Sequence, residues 1–364
     1  MTKKMERIKA EVSLKAISDN LFETTKHIKK DVRRIAVVKA DAYGHGAVEV
    51  SKYLQKASGI SDFAVATLEE ALELRQNGIK GTILILGYIN PERAKEAEEN
   101  EITLSVGTVD YAKAIYTYAS PDSHLQVDTG MSRMGVYCHK KEDVTFALKE
   151  IKKIKEITKD KLKGVYTHFV QSDIPESNLT SIQYESLISL ISACKEEGIT
   201  FEMKHCCNSL GAVNFGDFAL DAVRIGICLY GYESKNLTPA MTFKTNVIKI
   251  FEGKKGDTVS YCGTYTLEEN KTIAVCSAGY ADGVSRHLSN KGYYIINGKK
   301  ANILGRVCMD LSMVDVTGIP CNVGDEAIIF GKELPADKVA EICDTISYET
   351  LCNVGKRVPR EYII

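Results

Sequence analysis

The sequence contains no long apolar run. No stretch approaches the ~18 apolar residues of a membrane-spanning helix, so we expect no membrane span. Residues Met1–Leu14 carry charge without an apolar centre, which argues against a signal peptide. The formal net charge is −1, so neither sign dominates. This balance gives no electrostatic reason to expect nucleic-acid or membrane binding.

Paired cysteine spacing is also missing. The chain has 11 cysteines, an odd number, without a CxxC pair. Disulfide frameworks and structural zinc sites usually show paired spacing, so we expect reduced, mostly buried thiols, a cytoplasmic location and no metal. His205-Cys206-Cys207 has metal-binding residue types, but no second ligand pair follows it.

The pattern of short apolar runs predicts the fold of the first two thirds of the chain. Its 364 residues exceed the roughly 100–200 of one ordinary domain, although a barrel can be larger. Eight runs alternate with amphipathic segments such as Glu142–Ile157, which favours a (β/α)8 barrel. A doubly wound sheet is the alternative, but no Gly-rich dinucleotide turn follows the first strand. The eight runs are Ile35–Lys39, Phe63–Thr67, Thr82–Leu86, Ile102–Val106, His124–Asp128, Gly164–Phe169, Phe201–His205 and Ala222–Gly226.

The pattern of apolar and polar residues changes after about Tyr232. Short alternating segments such as Val247–Phe251 and Thr272–Ser277 are separated by hairpin signals such as Asn297-Gly298, which predicts a mostly-β second domain. We expect a barrel domain over residues 9–235 and a β-domain over residues 236–364. The stretch Arg7–Leu14 alternates and could be a strand added to this second domain. The domain bounds that we expect place such an N-terminal strand at about residues 1–8.

Lys39 is the most informative candidate for chemistry. It ends the apolar run Ile35–Lys39, and the segment Ala40–Gly46 after it has two glycines that indicate a sharp turn. A lysine at the mouth of a buried strand is partly desolvated, which lowers its pKa and favours the neutral amine. A neutral amine can form a Schiff base, and pyridoxal 5'-phosphate is its commonest partner.

Further candidates lie at other strand ends. Phosphate often binds after strands seven and eight of such barrels, where Ser209 follows one strand and Gly226 and Ile227 follow the other. Arg224 ends strand eight, and an arginine can only donate hydrogen bonds. Taken singly, each of these residues is also explained as a helix cap or a strand-end ion pair.

Eight motifs in order, from Lys39 to Arg360, resemble those of the alanine racemase family. They begin with VVKADAYGHG, DTGMSRMG, HCCNS and VRIGICLYG, and they continue with SYCG, GYADG, GRVCMD and, as the eighth, a C-terminal run that contains TISYE and RVPR. The resemblance covers nearly the whole chain. It implies that the chain carries pyridoxal 5'-phosphate on Lys39 and racemises alanine, supplying D-alanine for cell-wall peptidoglycan.

The resemblance also implies roles for individual residues. Lys39 and Tyr261 are the implied bases on opposite faces of the adduct, and Arg133 and Met309 meet the substrate carboxylate. Tyr43, Ser209, Gly226, Ile227 and Tyr348 surround the phosphate, Arg224 faces the pyridine nitrogen, and His168 links Arg224 to the catalytic tyrosine. The supporting and entrance residues are Gln126, His205, Asn208, Tyr280, Cys308 and Asp310.

Gln126 departs from the family pattern. Many members have a lysine here, sometimes carbamylated, which orients the arginine that corresponds to Arg133. A glutamine is neutral and cannot be carbamylated, so we expect a bound anion such as chloride, or the amide itself, to hold Arg133. Ser132 and Ser277-Ala278 are smaller departures.

The resemblance implies a homodimer in which Tyr261 and Met309 reach the partner's cofactor. The substrate could be alanine, or serine and alanine in a broader-specificity racemase. A barrel decarboxylase and a non-catalytic pyridoxal-phosphate-binding protein are the other classes. Cys308-Met309-Asp310 fits the racemase pattern better than a decarboxylase, and the second domain argues against a bare binding barrel.

Overall fold

The computed structural model describes residues 7–364. Its strands are β1 Ile8–Ser13, β2 Arg33–Val37, β3 Asp62–Val65, β4 Thr82–Ile85, β5 Ile102–Val106, β6 Ser123–Asp128, β7 Val136–Tyr137, β8 Leu162–Tyr166, β9 Met203–His205, β10 Ala222–Ile225, β11 Met241–Gly253, β12 Thr258–Val259, β13 Tyr265–Thr266, β14 Lys271–Cys276, β15 Tyr293–Ile296, β16 Lys299–Asn302, β17 Ser312–Asp315, β18 Glu326–Phe330 and β19 Arg360–Ile363. Its helices are α1 Leu14–Thr25, α2 Lys39–Tyr43, α3 Ala47–Ser58, α4 Leu68–Gln76, α5 Ala94–Glu99, α6 Val109–Tyr118, α7 Val144–Thr158, α8 Leu179–Glu196, α9 Ser209–Asn214, α10 Ala336–Cys343 and α11 Ser347–Cys352.

Eight parallel strands close into a barrel. The order is β5-β4-β3-β2-β10-β9-β8-β6, and pairing of β5 with β6 completes the ring. All residues of β3, β5 and β6 are buried, as expected where helices cover the outside of the barrel and side chains fill its interior. The predicted barrel is confirmed, and each predicted run overlaps one of its strands.

The second domain is mostly β, as predicted. Its main sheet has the order β16-β15-β18-β11-β1-β19, and β14 and β17 continue from β11. The long strand β11 organises this domain, because it pairs with β1, β14 and β18. One hydrophobic core extends from the barrel into the sheet, with Val12, Leu229 and Phe243 among its buried members.

The N-terminal strand falls within the alternating stretch Arg7–Leu14, as predicted, but lies later than the expected residues 1–8. β1 spans Ile8–Ser13 and pairs with β11 antiparallel and with β19 parallel, so it belongs to the sheet of the β-domain. The alternating burial that makes a strand here begins at Ile8, and the barrel therefore begins only after Ser13, with α1. The remainder of the expected strand, residues 1–6, falls outside the described residues.

The described chain has no helix that is both long and apolar enough to cross a bilayer. All 11 cysteines are free, and of these only Cys262 and Cys352 are exposed. Within residues 7–364, no group of three or more histidine, cysteine, aspartate or glutamate side chains could hold a metal ion. His205 contacts Arg224 and His124 instead, and Cys206 contacts Cys207 and the Phe218 carbonyl.

Candidate active site

Lys39 stands where β2 gives way to an unusual turn. Ala40, Asp41, Ala42 and Tyr43 all have positive φ, between 51° and 53°, so α2 is a left-handed turn. Left-handed backbone costs roughly 1–2 kcal/mol per non-glycine residue, so tertiary contacts must hold it. Lys39 is the first residue of this turn and lies at the C-terminal end of β2.

Burial lowers the pKa of the Lys39 ammonium, and the positive charge of Arg133 lowers it further. The negative charge of Glu70 partly opposes these effects. The direction agrees with the sequence argument, because a strand-end lysine at the mouth of a barrel loses much of its hydration. Lys39 therefore yields the neutral amine more readily than a lysine in water.

Most of the residues predicted around a phosphate lie together at the C-terminal ends of the barrel strands. The Gly226 N–H donates to Ser209 Oγ over 2.8 Å, which joins the start of α9 to the end of β10. The Tyr43 and Tyr348 ring centroids are 5.9 Å apart. A Cβ on Gly226 would lie 2.9 Å from the Tyr43 hydroxyl oxygen, so glycine keeps this space open. Ile227 is buried at the start of the short 3-10 turn Ile227–Tyr230.

Arg224 is buried at the end of β10 and is held by neighbours on β8 and β9. Its Nη1 donates to His205 Nδ1 over 2.7 Å. Its Nη2 donates to the Thr167 and Cys206 carbonyls over 2.7 and 3.0 Å, and to His168 Nδ1 over 3.4 Å. Its guanidinium carbon also lies 5.3 Å from the Tyr166 ring centroid. These contacts fix the plane of the guanidinium.

The histidines around Arg224 are neutral. Burial lowers the pKa of His168 to about 3, with further lowering by Arg224, Arg133 and Lys39. Burial and Arg224 also hold the pKa of His205 well below its usual range. Because Arg224 can only donate, His205 Nδ1 must accept, and its Nε2–H then faces His124 Nδ1 at 3.0 Å. This pair of imidazoles fixes the tautomer behind Arg224.

Asp128 shapes the turn that carries Arg133. Its Oδ1 accepts the backbone N–H groups of Gly130, Met131 and Ser132 over 2.9–3.1 Å. Burial alone would raise the pKa of Asp128, but these hydrogen bonds and His139 lower it overall. The carboxylate therefore explains why an aspartate begins this motif.

Gln126 is buried on β6, and its Oε1 has no hydrogen-bond partner within residues 7–364. Arg133 is exposed, and its guanidinium has no hydrogen bond or ion pair with any described residue. The amide of Gln126 thus does not hold Arg133 in this protomer.

Tyr261 and Met309 lie in the β-domain and are largely exposed, by 68% and 53% respectively. Together with Ser260, Cys308, Asp310 and Leu311 they line an open depression of about 410 Å³. Ser260 Oγ donates to the Arg306 carbonyl over 2.6 Å and lies 3.4 Å from Cys308 Sγ, which links the two segments. None of the contacts described for residues 7–364 joins Tyr261 to Lys39.

The remaining predicted residues have structural contacts. Asn208 caps α9 by accepting the Gly211 N–H over 2.8 Å, and Asp310 pairs with Arg357 over 2.7 Å. Tyr280 is partly exposed in the turn that starts at Gly279. Sequence reasoning missed Glu70, His124 and the role of Asp128. For Glu70 a signal existed, because Thr67 and Glu70 have capping-box spacing.

The chain resembles alanine racemases over almost its full length. The sequence model for the alanine racemase N-terminal domain matches residues 12–234, and that for the C-terminal domain matches residues 240–362. An alanine racemase of Desulforamulus reducens is 42% identical over 98% of this chain and 99% of that protein. Alanine racemase 2 of Bacillus subtilis is 37% identical over 100% and 96%.

The structure is also similar to solved structures of alanine racemases over almost the whole chain. Alanine racemase of Clostridium difficile 630 has a TM-score of 0.92 at 34% identity, covering 99% of this chain and 97% of that one. The Bacillus anthracis alanine racemase with bound L-Ala-P has a TM-score of 0.90 at 33% identity, covering 100% and 96%.

The barrel, the partly desolvated lysine at the end of one of its strands and the second, mostly-β domain define a two-domain barrel protein. The matches to both domain models and to full-length relatives identify the family within this class of protein. The chain belongs to the alanine racemase family.

Proposed function

We propose that this enzyme interconverts L-alanine and D-alanine with pyridoxal 5'-phosphate, using Lys39 and Tyr261 as its two bases. The observation that carries the proposal is the pair of half-buried Lys39 and buried Arg224 at the barrel mouth. There, Lys39 has a lowered pKa and Arg224 is fixed as a hydrogen-bond donor. Supply of D-alanine for peptidoglycan is the biological role typical of the family.

The residues present fit pyridoxal phosphate. Gly226 leaves open a space that a Cβ would fill against the Tyr43 hydroxyl, and Ser209 and Tyr348 lie beside it, as a phosphate site requires. The Nε–H of Arg224 has no acceptor within residues 7–364, so it can donate to a ring nitrogen. The amine of Lys39 is the attachment point.

When bound, the cofactor makes the α-proton of an attached amino acid acidic. Lys39 Nζ moves a proton on one face, and Tyr261 Oη does so on the other. Arg133 binds the substrate carboxylate, together with the Met309 backbone. Arg224 cannot give up its proton, so it would act only as a hydrogen-bond donor to the cofactor's ring nitrogen, which would stay unprotonated.

Tyr261 must serve a second protomer in this scheme. It is exposed on the β-domain and makes no contact with the Lys39 cluster of the described chain. A homodimer in which each β-domain completes the partner's site explains both facts. A cytoplasmic location is supported by the 11 free cysteines.

Alanine is favoured over larger substrates because Tyr348 and Tyr280 would crowd long side chains. Serine is then the weaker substrate. Because Arg133 has no anionic partner and Gln126 cannot be carbamylated, we also propose that a small anion such as chloride holds Arg133. Activity should then respond to chloride and not to added bicarbonate.

The test is to incubate the purified enzyme with L-alanine in deuterated water. Loss of the α-proton signal with growth of D-alanine identifies the racemase. The Lys39→Ala variant should lose this exchange and the covalent attachment of the cofactor. Lys52→Ala, which removes an exposed lysine paired with Glu49 on α3, should retain both. Release of carbon dioxide would identify a decarboxylase, and absence of any exchange in the cofactor-loaded wild type would refute catalysis.

A further inference from the structure

Glu70 lies in the first turn of α4, and its carboxylate contacts two strand ends at once. Its Oε2 accepts the Ala66 and Thr67 N–H groups over 2.7 and 3.3 Å, and Thr67 Oγ1 accepts the Glu70 N–H in return. Its Oε1 accepts the Ala40 N–H over 2.6 Å. Ala66 follows β3 and Ala40 follows β2, so one side chain joins the C-terminal ends of two neighbouring barrel strands.

Helix capping alone does not explain this arrangement. A capping box needs only one oxygen of Glu70, and that oxygen contacts Thr67. The other oxygen contacts the first residue of the left-handed turn, immediately after Lys39. A hydrogen bond to a carboxylate is among the stronger types, and this one lies where the backbone must leave the right-handed region.

Other groups hold the far end of the turn. Asp41 Oδ1 accepts the Ala47 N–H over 2.8 Å, and Arg360 Nε donates to the Gly44 carbonyl over 3.0 Å. Glu70 is the side chain that holds the end next to Lys39. Its charge also acts on Lys39, because it raises the lysine pKa against the lowering by burial and by Arg133.

We propose that Glu70 is a positioning residue for Lys39, whose carboxylate clamps the left-handed turn and fixes the direction in which the lysine enters the barrel mouth. The proposal rests on the proposed role of Lys39. It differs from ordinary helix capping in its consequence, since loss of Glu70 changes the backbone at Ala40 and the reactivity of Lys39 as well as α4.

Two measurements on the apoprotein test this without relying on catalysis. The first is amide hydrogen exchange in the segment 40–46, followed by mass spectrometry. The second is the pH dependence of Lys39 labelling by an amine-selective acylating reagent, read from the peptide that contains it. If Lys39 proved not to be the attachment point, both measurements would still report on its coupling to Glu70.

Four variants separate clamping from capping and charge. Glu70→Gln removes the charge and one of the two acceptor oxygens, whereas Glu70→Asp keeps the charge but is too short to reach both strand ends. Glu69→Gln is the matched control, because Glu69 is the neighbouring acid in the same helical turn and pairs with Arg93. Thr67→Val removes the cap hydroxyl but leaves the contact between Glu70 and Ala40.

We expect Glu70→Gln to raise exchange in segment 40–46 by about tenfold or more, the effect of losing a charge-assisted hydrogen bond. In this variant Lys39 should become reactive toward the acylating reagent at lower pH, because the negative charge that raises the lysine pKa is gone. Glu70→Asp should raise exchange similarly while keeping the labelling profile, and it carries the test alone if the glutamine variant does not fold. Glu69→Gln and Thr67→Val should change neither quantity. Equal exchange in the Thr67→Val and Glu70 variants would overturn the proposal, as would wild-type exchange in both Glu70 variants.

Discussion

At the scale of single residues, Tyr261 is the predicted base that the protomer leaves most exposed. Replacing it with phenylalanine should leave the cofactor bound but remove one of the two bases. Proton abstraction from L-alanine should fall by about 10²–10⁴-fold and far more than abstraction from D-alanine, since each base serves one face. Deuterium wash-in measured separately for each enantiomer checks this. Tyr265→Phe, at the neighbouring tyrosine of β13, is the matched control. Small, equal losses for both enantiomers would contradict the two-base role.

Gln126 gives a second prediction at this scale, because its buried Oε1 has no partner and it precedes the Arg133 turn. A carboxylate introduced by Gln126→Glu should offset the positive charge of Arg133. The phenolate of Tyr261 would then be less favoured, so the acidic limb of the rate profile should move to higher pH. Gln126→Met, which is neutral and of similar size, should leave the limb in place. An unchanged profile in the glutamate variant, with Arg133 still bound to substrate, would show that this position does not tune the tyrosine.

At the scale of elements, β6 and the turn after it determine where Arg133 stands. Asp128 has a pKa lowered in the folded protein, so its carboxylate stabilises the fold above its ordinary value of about 3.9, and this stabilisation is lost as pH falls through the folded value. Asp128→Asn should therefore reduce stability at neutral pH, by about 1 kcal/mol, and weaken the decline in acid. The loosened turn should raise KM for alanine more than it lowers kcat. Chemical denaturation at pH 7 and pH 3, beside kinetics, measures both effects. Asp122→Asn, an exposed change just before the same strand, is the control and should alter neither the stability nor the KM for alanine.

The elements also show how far the sequence could lead. The barrel strands were predictable because fully buried parallel strands are continuous apolar runs, and the β-domain because alternation and Asn-Gly turns are local signals. The left-handed turn at Ala40–Tyr43 was not predictable, since no glycine occupies those positions and a group distant in sequence, Glu70, holds its first residue. The hydrogen bond between His124 and His205 joins residues 81 positions apart. Their strands are not adjacent in the barrel, so no local sequence pattern predicts the contact. The predicted roles of Arg133 and Tyr261 came from resemblance, and they remain predictions.

At the scale of the whole molecule, the proposed site has two parts, the barrel mouth and the Tyr261 depression, and no contact described for residues 7–364 joins them. If a dimer joins them, dilution should inactivate the enzyme as protomers separate. Mixing the inactive Lys39→Ala and Tyr261→Phe variants should restore activity, because a mixed dimer contains one site with both bases and one with neither. About half of the dimers at equilibrium are mixed after random exchange, so recovery should approach a quarter of wild-type activity.

Light scattering and native mass spectrometry verify that subunits have exchanged. The control is a mixture of the Lys39→Ala and Tyr265→Phe variants. Tyr265→Phe keeps both predicted bases, so this mixture reports general effects of subunit exchange on activity. Verified exchange without recovery would mean that each site is built within one chain.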